Sequence, residues 1–256
     1  MSLMLRAAVV TDLGLVRSNN EDAAHAGKRL LAVADGIGGA PAGELASEIV
    51  IRALAELDSG PEPEAPLAAL GQAIAAANRE IGESTAGDLT RQGMGTTVTA
   101  LLLSGDRFAL LHVGDSRGYL LRDGKLSRLT RDDTFVQALV DRGMITAVEA
   151  RQHPQRSIIT QAVQGGDFEP TGALLVPYPA DRYLLCSDGL SDYVSDELIE
   201  ETLAGYADPQ RCAEQLVGLA LRAGAPDNVT VVVGDVVLAG VAQGTGVGDF
   251  LDAATG

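Results

Sequence analysis

Arg107-Phe108-Ala109-Leu110-Leu111-His112-Val113-Gly114-Asp115-Ser116-Arg117-Gly118-Tyr119-Leu120-Leu121-Arg122-Asp123-Gly124-Lys125-Leu126 decides the kind of sheet this chain builds. Phe108–Val113 and Gly118–Arg122 are short apolar runs of strand length. Asp123-Gly124 directly after the second run reads as a two-residue hairpin turn, because both central residues of such a turn tolerate positive φ. The strands it joins are antiparallel. Further strands are expected at Leu5–Thr11, Arg29–Ala34, Thr97–Leu103, Arg182–Cys186 and Val229–Val233. Helical periodicity covers Ala42–Leu57, Leu67–Ile81, Thr134–Arg142, Ala147–Gln152, Asp196–Leu203 and Pro209–Arg222, with Ser195 and Asp208 placed as N-caps. Hairpin-joined strands with helices in pairs favour antiparallel sheets covered by helices over a parallel, doubly wound sheet.

The 256 residues are 46% apolar, enough for a sizeable core in one domain. Nineteen Lys and Arg against thirty-five Asp and Glu leave a charge of −16, which repels phosphate backbones and argues against nucleic acid as a partner. No run approaches the roughly 18 apolar residues of a membrane span, and Asp12 interrupts the N-terminus before a signal sequence can form. Membrane contact within this chain is therefore not expected. Cys186 and Cys212 each sit in an apolar stretch, as buried thiols do in a reducing, cytoplasmic setting. Pro61, Pro63 and Pro66 mark a loop between the first two helices. Residues 1–240 read as the domain, and the Gly- and Ala-rich residues 241–256 as a flexible tail. Whether the natural chain continues past Gly256 into a linker and membrane anchor is open at this point.

Several aspartates fall at strand ends instead of on polar faces. Asp35 follows Leu30–Ala34, Asp115 follows Leu111–Val113, Asp188 follows Tyr183–Cys186, and Asp227 precedes Val229–Val231. In an antiparallel sheet the end of one strand adjoins the start of the next, so these positions can meet on one rim. Carboxylates gathered without a cation raise one another's pKa. An oxygen-rich cluster suits Mg²⁺ or Mn²⁺ better than Zn²⁺, whose His and Cys ligands this chain nearly lacks. Taken singly, Asp35-Gly36 and Asp188-Gly189 read as ordinary turns, Gly38, Gly39 and Gly43 as a weak phosphate-loop signal, and His25, His112 and His153 as structural. Their combination carries the argument.

Arg17 with Asn20-Glu21-Asp22, then Asp35-Gly36-Ile37-Gly38-Gly39, Gly95-Thr96-Thr97, Gly114-Asp115-Ser116-Arg117, Ser187-Asp188-Gly189 and Asp227-Asn228 together resemble the motifs of the metal-dependent PP2C-type protein serine/threonine phosphatases, the PPM family. They occur in the family's order and span nearly the whole chain, and the likeness is greatest to the bacterial branch that opposes membrane Ser/Thr kinases. The resemblance implies an α+β, four-layer α-β-β-α sandwich of two antiparallel sheets flanked by helix pairs. It implies that Asp22, Asp35, Asp188, Asp227 and the carbonyl of Gly36 hold two Mn²⁺ or Mg²⁺ ions, that Glu21 binds through water, and that Arg17 holds the phosphate. Asp115 with Asp188 would take a third, weaker ion. The segment 134–164 corresponds to a flap, whose Arg142, Arg151 and Arg156, with the neighbouring Arg131, are assigned to substrate contact. Phosphorylated proteins, Ser/Thr kinases among them, are the partners it implies, and a monomer is expected.

The chemistry accounts for these residue types. Two ions about 3.5–4 Å apart activate and orient a water for in-line attack, with no covalent nucleophile needed. Arg17 supplies a planar, permanently charged fork for phosphate oxygens. A cysteine phosphatase needs an arginine six residues beyond its thiolate, where this chain has Asp192 and Gly218. An aspartyl-phosphate enzyme needs an Asp-x-Asp pair after an early strand, which is missing. Ile37 stands where eukaryotic relatives often carry a histidine. Protonation of the leaving oxygen is then left to metal-bound water, another residue or solvent, with His153 one guess. A non-catalytic, phosphoprotein-binding relative is the alternative, but it would be expected to lack metal carboxylates that are all present here.

Overall fold

The computed structural model describes residues 2–38, 42–86 and 88–239. Its elements in order are β1 (Leu3–Asp12), β2 (Asp22–Ala26), β3 (Leu30–Ile37), α1 (Ala42–Ser59), α2 (Pro66–Thr85), β4 (Gly95–Thr96), β5 (Val98–Ser104), β6 (Arg107–Val113), β7 (Arg117–Arg122), β8 (Lys125–Arg128), α3 (Phe135–Asp141), α4 (Ala147–Arg151), β9 (Thr171–Leu175), β10 (Arg182–Cys186), α5 (Asp188–Ser191), α6 (Asp196–Gly205), α7 (Pro209–Arg222) and β11 (Val229–Leu238). A short 3₁₀ turn at Leu89–Arg91 precedes β4.

The strands form two sheets, β1-β11-β10-β7-β8 and β2-β3-β5-β6-β9, with β4 beside the end of β3. Their pairings are antiparallel throughout. Strand alternation explains how the sheets stack. In β3, Leu31 and Val33 face the other sheet while Leu30, Ala32 and Ala34 face α1 and α2. In β10, Tyr183 and Leu185 face inward while Leu184 and Cys186 pack against α6 and α7. Both faces of these central strands are covered, so they read as unbroken apolar runs without a polar alternate. Phe108 and Tyr183 meet edge to face between the sheets with centroids 4.9 Å apart. Ile49, Leu54, Leu70 and Ile74 close one outer layer, and Ile199, Leu203 and Leu216 the other. The result is the expected four-layer sandwich.

Local chemistry sets the boundaries. Asp123 and Gly124 take φ of 52° and 75°, the hairpin turn read from sequence. Ser195 Oγ accepts from Leu198 N at 3.4 Å and Asp208 Oδ1 from Arg211 N at 3.0 Å, capping α6 and α7. Pro66 opens α2, where its missing N–H costs nothing. Two Asp-Gly pairs do not behave as turns. β3 runs on through Asp35-Gly36 because Gly36 and Ile37 pair with Thr96 and Gly95 of β4, and Asp188-Gly189 begins α5. β2 and β9 are additional strands, and residues 241–256 lie outside those described. Both cysteines are free and buried.

Leu31 is fully buried and lies against Gly234, where a Cβ would stand 2.6 Å from its Cδ1. Glycine on the facing strand leaves no side chain to fill a void. Leu31→Ala should therefore cost about 2–5 kcal/mol, read as a lower urea midpoint at unchanged slope. An unmoved midpoint would contradict this packing.

Candidate active site

The acidic residues meet where the two sheets end together. Asp22 opens β2 directly opposite Asp35 on β3. β10 runs antiparallel to β11, with Cys186 opposite Val231, so Asp188 just after one strand adjoins Asp227 just before the other. Asp115 lies in the β6–β7 connection and is 8% exposed. Five acids far apart in sequence thus come to one rim.

Each motif has a structural task there. Asp35 N donates to Thr97 Oγ1 at 3.0 Å, while Thr97 N and Thr96 Oγ1 donate to Asp35 O, both at 2.9 Å. Thr97 Oγ1 also shares a 2.7 Å hydrogen bond with Ser116 Oγ, so the Gly95-Thr96-Thr97 and Asp115-Ser116-Arg117 motifs brace the Asp35 backbone jointly. Ser187 Oγ donates to Asp22 Oδ2 at 2.8 Å and accepts from Thr230 N at 3.0 Å, tying the end of one sheet to the other. Asn228 Oδ1 accepts from Glu21 N at 2.9 Å, and its Nδ2 donates to Leu13 O and Asn19 O, fixing the segment that carries Arg17. The Arg17 guanidinium donates to Asp227 Oδ2 at 2.8 Å on the solvent side of the cluster. Glu21 is buried and accepts from Asn19 Nδ2 at 3.1 Å. Glycine is required at the entry to α1, since a Cβ on Gly36 would stand 2.3 Å from Gly43 O and one on Gly43 2.1 Å from Glu21 Oε2. Gly43 thus serves close packing.

The electrostatics follow from the crowding. Burial, then the hydroxyls of Thr230 and Ser187 working against it, leave the Asp22 carboxyl pushed up to about 6. Asp115 is pushed up to about 7, by burial first and then by Asp132 and Asp192. Burial followed by the charges of neighbouring aspartates holds Asp35 and Asp188 well above the usual carboxylate range. Arg17 is raised, chiefly by its hydrogen bond to Asp227. Two acids that sequence reading missed belong to this field. Asp192 lies one helical turn beyond Asp188, and Arg156 of the flap approaches it at 3.6 Å. For Asp132, burial alone would raise the carboxyl, but hydrogen bonds and charge from Arg117 and Arg128 hold it below the ordinary range. The i,i+4 spacing of Asp188 and Asp192 was the legible signal for the first. Asp132 stands in Arg131-Asp132-Asp133 without a strand-end context.

Part of the segment 134–164 lies beside this rim. Arg151, Arg156 and Ser157 line a cavity with Asp115, Asp188 and Asp192. Arg131, just before that segment, pairs with Asp141 inside it, and Arg142 is exposed. His153 closes the turn after α4, its ring tilted against Phe135 at 6.3 Å, and its Nδ1 accepts from Gln155 N. His112 is buried between Thr99 Oγ1 and Arg131 O, and His25 faces Asp58 at 3.3 Å, so both serve the scaffold.

The model for protein phosphatase 2C matches residues 16–219. The chain belongs to the protein phosphatase 2C family. It is 55% identical over 237 residues to the serine/threonine protein phosphatase PstP of Mycobacterium tuberculosis, covering 93% of this chain and 46% of that protein. The chain thus spans about half the length of that relative. It is 33% identical to the serine/threonine phosphatase stp of Listeria monocytogenes, covering 90% of this chain and 95% of that protein. The catalytic domain of PstP in complex with two manganese ions superposes with a TM-score of 0.88 at 53% identity, covering 93% of this chain and all of that one.

Two manganese ions in a relative raise the question of fit. The donor set is rich in oxygen, and the burial and neighbouring negative charge that raise Asp22, Asp35, Asp115 and Asp188 are what a divalent cation would relieve. Among the described residues, however, no three acidic, His or Cys side chains already close as an ion cage. Asp22 is turned to Ser187, and Asp227 to Arg17 and its neighbouring Asn228 N. The residues fit by position and chemistry, and ligation requires them to exchange these hydrogen bonds.

The sign of the Asp35 shift sets its effect on stability. A carboxyl that binds its proton more tightly when folded favours the native state less as pH rises from the unfolded pKa near 4 through the raised folded value. In chelator, Asp35→Asn should melt several degrees higher than wild type at pH 7.5, and the difference should vanish near pH 4, where Asp35 is also neutral. A variant that melts lower at pH 7.5 in chelator would contradict the unfavourable burial and repulsion described.

Proposed function

We propose that this chain is the catalytic domain of a protein serine/threonine phosphatase, hydrolysing phosphoserine and phosphothreonine in proteins with Mn²⁺ or Mg²⁺. The observation that carries this is the meeting of Asp22, Asp35, Asp115, Asp188 and Asp227 at the adjoining ends of two sheets, with Arg17 on the open side of the cluster. Membership of the family and the likeness to named serine/threonine phosphatases support it.

In this reading Asp22, Asp35, Asp188 and Asp227, with the Gly36 carbonyl, hold two ions, and Glu21 holds one of them through water. Bound ions supply an activated water oriented for in-line attack and neutralise charge on the phosphoryl oxygens. Asp115 with Asp188 takes a third ion. Arg17 turns from Asp227 to the phosphate and binds its oxygens in a fork. Thr97 and Asn228 hold the backbone of Asp35 and Glu21 in place by the hydrogen bonds described above, and Ser187 gives up Asp22 when the ions bind. Ile37 offers no proton, so the departing serine or threonine oxygen takes its proton from metal-bound water, another residue or solvent. Residues 1–240 form the catalytic unit, and phosphorylated proteins, bacterial Ser/Thr kinases among them, are its substrates. No helix among the described residues is long and apolar enough to cross a membrane.

Turnover of a phosphothreonine peptide with Mn²⁺ tests this. Asp35→Asn and Asp188→Asn should each lose activity by at least about 100-fold at any Mn²⁺ concentration, whereas Arg17→Ala should act mainly by raising KM. Full turnover by either aspartate variant would refute the assignment.

A further inference from the structure

The segment between β1 and Arg17 displays large apolar side chains where a domain would be expected to hide them. Leu13, Leu15 and Val16 are 43%, 62% and 75% exposed. Their backbone is nevertheless fixed at every step. Gly14 N donates to Asp12 Oδ1 at 2.8 Å, and Asn228 Nδ2 donates to Leu13 O at 3.1 Å. Leu15 N donates to Ala225 O at 3.0 Å and Val16 N to Pro226 O at 3.1 Å. Gly14 takes φ of +73°, and a Cβ there would stand 1.9 Å from Asp227 O, so the turn lies hard against the residue that Arg17 contacts.

The segment is therefore a pinned shelf with two aliphatic side chains facing water, contiguous with Arg17. Asp12 and Arg17 bound it, and the four residues between carry no charge, in a chain whose overall charge is −16. Consecutive residues of an extended peptide are about 3.3–3.6 Å apart. Residues one or two places from a phosphorylated side chain held at Arg17 therefore fall within reach of Val16 and Leu15. We propose that Leu15 and Val16 form a specificity shelf that receives an apolar side chain flanking the phosphoserine or phosphothreonine of the substrate. A preformed loop loses little entropy on binding, so the apolar contact is realised as affinity for such substrates. An acidic or strongly polar flanking residue would gain nothing from an aliphatic surface beside an acidic rim. The inference rests on the phosphatase reading given above and deepens it.

The test uses two phosphothreonine peptides that differ only in the two residues on each side of the phosphothreonine, Leu and Val in one and Ser in the other, with p-nitrophenyl phosphate as a substrate that has no flanking residues. With Mn²⁺, the wild-type chain should favour the apolar peptide by about tenfold in kcat/KM, the worth of burying one aliphatic side chain. The Leu15→Ser, Val16→Ser double variant should lose that preference and keep its rate on p-nitrophenyl phosphate within about twofold, with an unchanged melting temperature because both side chains are exposed. Absence of the preference in wild type, or its survival in the double variant, would overturn the shelf while leaving the phosphatase reading intact. Failure of wild type to hydrolyse any of the three substrates would overturn both.

Discussion

Burial of several carboxylates together, with the repulsion this adds among them, is the constraint around which this molecule is arranged. Asp22, Asp35, Asp115 and Asp188 all hold their protons more tightly than free aspartate does, and an isolated polypeptide would separate them. Two stacked sheets prevent this. Their shared core of Leu31, Val33, Phe108, Tyr183, Leu185 and Val232 fixes the ends of β3 and β10 relative to each other, and Ser187 fastens Asp22 across that junction. The apolar interior thus supplies the free energy that keeps an electrostatically unfavourable rim assembled. A site of this type is costly to the metal-free protein and favourable once a divalent cation shares the charge.

Arg17 illustrates how the rim is balanced. Its guanidinium answers Asp227, yet it sits toward solvent, where a phosphate can compete for it. Arg117 does the opposite. It is largely buried, bound through two nitrogens to Asp132 and through a third to Ser191 O, and so belongs to the framework that joins β7 to α5. Arg117 is committed to structure, and Arg17 is accessible to a ligand.

Much of this was legible in the sequence because the signals were local. The hairpin at Asp123-Gly124, the caps Ser195 and Asp208, the buried runs of β3 and β10, and the strand-end aspartates were all readable from short windows and adjoining turns. β2 was not, because Asp22-Ala23-Ala24-His25-Ala26 has no β-branched residue and becomes a strand only by pairing with β3. β9 is a short edge strand set between Pro170 and Pro177, a context that favours a loop reading. Asp35-Gly36 looked like a turn because Gly36 is there for close approach to Gly43, a reason that exists only in three dimensions. Asp132 was missed as a site-shaping group because its partner Arg117 is distant in sequence, and the tie between Ser187 of the quoted motif and Asp22 shows only in the fold. The motif order did what spacing could not, bringing acids from β2, β3, the start of α5 and the approach to β11 into one expectation.

Those acids act together, in the reading proposed here, as an ion-binding rim. Anomalous diffraction from a crystal grown with Mn²⁺ measures this most directly, since it counts the ions and identifies their ligands. Peaks ligated by Asp22, Asp35, Asp188 and Asp227 at the shared end of the two sheets are the predicted result. A manganese-saturated crystal with no peak at that rim, in a protein that still hydrolyses phosphothreonine, would contradict it.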